Sequence, residues 1–198
     1  MSFPGHRRIN RHDGSTDESW LTFTCGHCDT LISGAVLASY TYEMYGISNT
    51  INWLICPNCL NGSVQSKGIL FPSPAFGPSL QGLPKEIKEA YDESRRCMQA
   101  NAFTAAELIC RKILMHVAVE KGATEGDSFG SYLSFLENKG YVTPPMKKWV
   151  DLIRQHGNKA THKLESPSRE RAESTVMFTA ELLRLVYEME YLSNKFSI

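Results

Sequence analysis

The sequence lacks any excess of charge: 21 Lys and Arg residues balance 21 Asp and Glu, for a formal net charge of zero. Strong, sequence-blind nucleic-acid binding draws on a basic surface, so the overall balance leaves only a local patch for that purpose. Arg7, Arg8 and Arg11 open the chain without an acid among them and read as a solvated tail. Long apolar runs are also missing. No stretch approaches the roughly 20 residues of a membrane-spanning helix, and the polar N-terminus is unlike a secretory leader. A soluble, cytoplasmic protein with no membrane partner is expected. There is no phosphate-binding glycine loop, no nucleophilic serine elbow, no metalloprotease helix motif and no internal repeat. Cysteines number only six. In a reducing compartment, paired cysteines serve as metal ligands more often than as disulfides.

What is present divides into modules. Hydrophobic residues make up 42% of 198, enough for a real core. Residues 1–19 read as a tail. Residues 20–70 carry cysteines, turn residues and short strand-forming runs. Residues 71–83 contain the proline-rich stretch Phe71-Pro-Ser-Pro-Ala-Phe-Gly-Pro78, which neither a helix nor a central strand can use, and read as a linker. Residues 84–198 read as about five helices. The first starts at Pro84 and reaches Asn101. The second runs from Phe103 to Lys121 before Gly122, with Phe103, Ala106, Cys110, Ile113, Leu114 and Val117 at helical spacing. The third spans Ser128 to Asn138. The fourth begins at Thr143-Pro144, buries Met146, Trp149, Val150 and Ile153, and ends or bends at Gly157. The fifth starts after Ser166-Pro167 and reaches about Asn194, with Val176, Leu183, Val186, Met189 and Leu192 on its buried face. Cys97 and Cys110 lack ligand spacing and read as core thiols.

The first module carries the strongest chemical signal. Cys25-Gly-His-Cys28 and Cys56-Pro-Asn-Cys59 are two pairs with two intervening residues each, a spacing that brings both sulfurs of a pair onto one tetrahedral ion. Strand-like runs precede each pair (Trp20 to Thr24, Ile51 to Ile55), and Val64 to Phe71 offers a third. This is the layout of a zinc ribbon. Four thiolates fill the coordination sphere of Zn2+, so the metal is expected to be structural. His27 is the alternative ligand. The module reads either as a fold staple or as a contact surface for nucleic acid or protein.

In the second module, Arg154, Asn158 and His162 crowd the end of an apolar helix. If that helix continues, the three share a face at spacings of four. Histidine can take a proton from a ribose 2′-hydroxyl, arginine can stabilise charge on a phosphate, and asparagine can orient either. The same residues can equally be structural, with Arg154 paired to an acid such as Glu107.

Ile153-Arg-Gln-His-Gly-Asn-Lys-Ala-Thr-His162 resembles the hallmark of the domain-of-unknown-function 4145 family. So do Tyr91-Asp-Glu-Ser-Arg-Arg-Cys97, Ala105-Ala-Glu-Leu-Ile-Cys-Arg111 and the preceding Trp53-Leu-Ile-Cys-Pro-Asn-Cys59. That family is similar to the HEPN superfamily of helical bundles. The resemblance implies a mainly α fold, in which a small N-terminal β zinc ribbon precedes a HEPN-like bundle. It also implies a homodimer and a role beside nucleic-acid-processing or anti-phage defence systems, with RNA or a protein as partner. In the catalytic members an arginine and a histidine cleave RNA, and Arg154 and His162 would hold those places with Asn158 between them. The gap from Arg154 to His162 is longer than catalytic members usually keep, and Met115 stands where relatives often carry glutamate. A non-catalytic interaction module is therefore the first expectation, and a metal-independent endoribonuclease the alternative.

Overall fold

Two turn dipeptides organise the N-terminal region. In Tyr45-Gly46 and Lys67-Gly68 both residues have positive φ (52° and 75°, 50° and 76°). That backbone is the two-residue turn whose twist matches antiparallel strands, and glycine at its second position adopts it without steric cost. The computed structural model describes residues 19–160 and 166–197, with the backbone alone for 155–160. It contains one antiparallel sheet in sequential order: β1 Ser19–Thr24, β2 Leu31–Met44, β3 Ile47–Ile55, β4 Gly62–Ser66 and β5 Ile69–Phe71.

The register of β2 changes along its length. Val36 pairs with Leu54, yet Ala38 pairs with Trp53, so Leu37 is an extra residue, a β-bulge. Side chains alternate along a strand, so one extra residue moves every later one to the opposite face. Before the bulge, Val36 lies over the core with Phe23, Leu54, Leu70, Cys25 and Cys56. After it, Tyr40 and Met44 lie on the outer face, 59% and 44% exposed. The inner face of this distal half is polar instead: the Ser39 hydroxyl donates to Asn52 (2.7 Å), Asn52 donates to Gln65 (3.1 Å), and Thr41 meets Thr50 (3.1 Å).

This sheet corrects the expectation of a mainly α chain. The protein is α+β. The strand runs around residues 20–24, 51–55 and 64–71 are present. The 14-residue β2, the largest strand, does not read as one alternating run: only Ser39 to Met44 alternates, because the bulge breaks the period of two and Gly34, Ala35 and Ala38 dilute the part before it. The run from Val64 to Phe71 is itself a hairpin.

The C-terminal region is helical: α1 Lys85–Gln99, α2 Phe103–Glu120, α3 Phe129–Asn138, α4 Lys147–Ala160 and α5 Arg169–Leu183, the last continuing through a π-helical turn, Arg184–Glu188, into α6 Met189–Phe196. The first helix follows Pro84, and the left-handed Asn101 (φ 58°) turns the chain after it. Ser128 and Ser168 accept from the backbone N–H three residues on, capping α3 and α5. Tyr91, Met98, Leu114, Leu133, Leu136, Phe178, Leu182 and Leu183 are sealed in the core. The π-helical turn inserts an extra residue into the last helix and advances its phase. Val186 therefore remains buried, while Met189, expected on the same stripe, is 54% exposed. The chain divides into two compact units between Ala75 and Phe76. Within the second unit the segment before α1 is pinned by side chains. Arg95 donates to the carbonyls of Phe76 (3.0 Å) and Gly77 (2.9 Å), the Tyr91 hydroxyl donates to Pro78 O (2.9 Å), and Leu80 is buried. Among the described residues, no helix is long and apolar enough to cross a membrane.

Candidate metal centre

The two cysteine pairs occupy two copies of the same local structure. In the first, Cys25 N–H donates to Thr30 O (3.0 Å) and Asp29 N–H to Cys25 O (2.9 Å). In the second, Cys56 N–H donates to Asn61 O (3.0 Å) and Leu60 N–H to Cys56 O (2.8 Å). Asp29 and Leu60, the residues after each second cysteine, both have positive φ, 57° and 61°. Each pair thus closes a knuckle, one following β1 and one following β3. Gly26 sits where the backbone passes closely: a Cβ there would lie 2.1 Å from Pro72 O.

The knuckles bring all four Sγ atoms within 4.8 Å of one another. Cys25 Sγ lies 3.7 Å from Cys59 Sγ, and Cys28 Sγ lies 3.8 Å from Cys56 Sγ. A tetrahedron with metal–sulfur bonds of about 2.3 Å has edges of roughly 3.8 Å, so these separations suit a single tetrahedral ion. Cys25 and Cys56 are fully buried, while Cys28 and Cys59 are half-buried. Burial pushes the Cys25 thiol up to about 12 and raises that of Cys56. Hydrogen bonding from the Thr30 side chain, then from Asn58, pulls Cys28 down to about 6. Asn58 Nδ2 donates to Cys28 Sγ (3.5 Å) and to Thr30 Oγ1 (3.3 Å). Thiolates gathered this closely, two of them desolvated, call for a cation to compensate them. The four cysteines can hold a metal ion such as zinc. His27 does not join them; its Nε2 lies 3.0 Å from Gly62 O. Thr30 and Asn58 escaped the sequence reading. The only signal for them was their position, two residues after one cysteine and one before another. Among the described residues no second group of three or more His, Cys, Asp or Glu side chains is placed to hold a metal.

The polar group of the helical unit is only partly described. Helix α4 continues past Gly157 to Ala160, so Arg154 and Asn158 stand four apart on one continuous helix. His162 lies outside the described residues. The Arg154 guanidinium donates to Asp151 Oδ1 (2.8 Å), approaches Glu137 Oε2 (3.6 Å) and reaches Ser134 Oγ (3.5 Å). Its side chain is 30% exposed and borders an open depression of about 570 Å3, which Ser128, Ser131, Ser134 and Asn138 also line. Glu107, offered by the sequence as a partner for Arg154, binds Arg171 instead. Arg171 grips it with two parallel bonds of 2.8 Å.

No curated protein and no solved structure gives a significant match to the chain. A family model does match, and it covers most of the helical unit while leaving out the cysteine-bearing sheet. Over residues 92–197 it is that of the domain of unknown function DUF4145, and the chain belongs to this family.

Proposed function

We propose that this protein is a non-catalytic interaction module that works as a homodimer: a zinc ribbon whose structural Zn2+ is held by Cys25, Cys28, Cys56 and Cys59, followed by a HEPN-like helical unit. It serves as an accessory to a nucleic-acid-processing or anti-phage defence system, contacting a protein or RNA rather than cleaving one. Zinc is favoured by the all-sulfur donor set and by sulfur separations that match its bond length. With four thiolates bound, the ion has no position left for water and supplies folding energy only.

The observation that carries the non-catalytic reading is the state of Arg154. Its guanidinium is bonded to Asp151 and lies 3.6 Å from Glu137, a carboxylate it shares with Lys147 (3.3 Å), so its donors already face acidic groups. An arginine that stabilises a phosphate in a transition state must offer its donors to that phosphate. The test is incubation of the full chain with structured RNA in the presence of a chelator, beside His162→Ala. No cleavage by either protein is the expected outcome. Cleavage by the wild type that disappears in His162→Ala would overturn this reading in favour of a metal-independent endoribonuclease using Arg154 and His162.

A further inference from the structure

The outer face of the sheet is apolar where a solvated sheet should be polar. The bulge at Leu37 places Ala38, Tyr40, Tyr42 and Met44 on this face, and the register aligns them with Trp53, Ile51, Asn49 and Ile47 of β3. Val64 and Ser66 of β4, and Phe71 and Ile69 of β5, extend the same rows. Tyr40, Met44, Ile47, Trp53, Ile69 and Phe71 are 59%, 44%, 65%, 42%, 57% and 55% exposed. The Tyr40 and Tyr42 rings lie 6.0 Å apart and nearly parallel. None of the residues in these rows carries a charge.

Large apolar side chains each present on the order of 200 Å2 when fully open, so these six expose roughly 650 Å2. The largest apolar patch on an ordinary monomer is about 300–600 Å2. One half of a standard protein interface is about 800 Å2. The patch therefore lies just above the ordinary range and approaches the size of half an interface. Its placement is specified, since without the extra residue in β2 the same tyrosines would point to the other side of the sheet.

We propose that this face is where a second copy of the chain docks, sheet against sheet, around a two-fold axis. A two-fold contact sets residue i against residue j and j against i, so a face that is apolar and uncharged throughout is complementary to its own copy. Single-stranded nucleic acid also stacks on aromatic sheet faces, but it needs cations along the backbone path. Between Ser19 and Ala75, Lys67 is the sole lysine or arginine. The inference rests on the functional reading only for the existence of a homodimer; it assigns the surface independently of the helical unit.

The test is sedimentation of the full chain, zinc-loaded, over a dilution series. The wild type is compared with Tyr40→Glu/Ile69→Glu and with the milder Tyr40→Thr/Ile69→Thr, which keeps strand-forming residues. A dimeric wild type, with both variants folded by circular dichroism and dissociating about 30-fold or more readily, is the expected result. Should the glutamate variant misfold, the threonine variant decides the matter alone. A wild-type dimer that both folded variants leave unchanged overturns this surface while the homodimer stands. A wild type that is monomeric throughout overturns both. A monomer that instead binds single-stranded oligonucleotide, and loses that binding in the threonine variant, overturns the assignment in favour of nucleic acid.

Discussion

Removing the Glu107 carboxylate should be one of the most damaging single changes in the helical unit. Its two oxygens accept from Arg171 Nε and a terminal nitrogen at 2.8 Å each, and the two side chains are only 10% and 18% exposed. Arg111 shares the neighbourhood. Burial works against its charge, Glu107 supports it and Arg171 opposes it. Glu107→Ala therefore strips two charge-assisted hydrogen bonds and leaves the largely buried Arg171 guanidinium without its carboxylate, while Arg111 loses a supporting charge. Breaking a buried pair costs about 3–5 kcal/mol, and the residual exposure here brings the expectation to roughly 3 kcal/mol. In a unit of this size that corresponds to a fall in Tm of about 10 °C. Replacing both partners, as Glu107→Met/Arg171→Met, removes the uncompensated charge and should recover most of that loss. Urea unfolding followed by helical circular dichroism measures all the variants and yields the coupling. A cost below about 1 kcal/mol for Glu107→Ala, or a double variant as unstable as the sum of the singles, would show that the pair is solvated and the reasoning wrong.

Two further outcomes concern the metal centre. Cys56→Ser should reduce bound zinc from about one ion per chain to none by elemental analysis, with loss of sheet signal and retention of the helical unfolding transition, because the sheet's core is too small to stand without its staple. Gly26→Ala sets a methyl group 2.1 Å from Pro72 O. The first knuckle must shift, and zinc affinity against a competing chelator should fall by about 10–100-fold, the usual scale for disturbing what orients a ligand.

The legible part of this protein was the part written in local chemistry. Two cysteine pairs announced a tetrahedral cluster because two-residue spacing leaves a knuckle little choice. Pro84 and Gly122 marked helix boundaries, and the central helix from Phe103 followed from one uninterrupted period. What escaped was whatever depends on a change of phase. The π-helical turn carried Met189 off its stripe, and the bulge hid β2 and with it the α+β character of the chain. The partner of Arg154 was equally unreadable, since Glu107 is bound to a residue 64 positions away. The bulge itself is open to test. Deleting Leu37 restores a strict alternation and should look harmless on propensity grounds. However, the turn at Tyr45-Gly46 fixes the far end of the hairpin through its positive φ angles, so β2 cannot absorb the deletion by sliding. Either Val36 leaves Leu54, or Tyr40 and Met44 turn inward against Asn52 and Thr50. Both outcomes break the core or bury unpaired amides, and the sheet should lose several kcal/mol of stability. Amide hydrogen exchange across residues 31–55 reads this directly. Protection within about 0.5 kcal/mol of the wild type would mean that the register is set elsewhere, and that the outward tyrosines are an accident of the strand rather than its purpose.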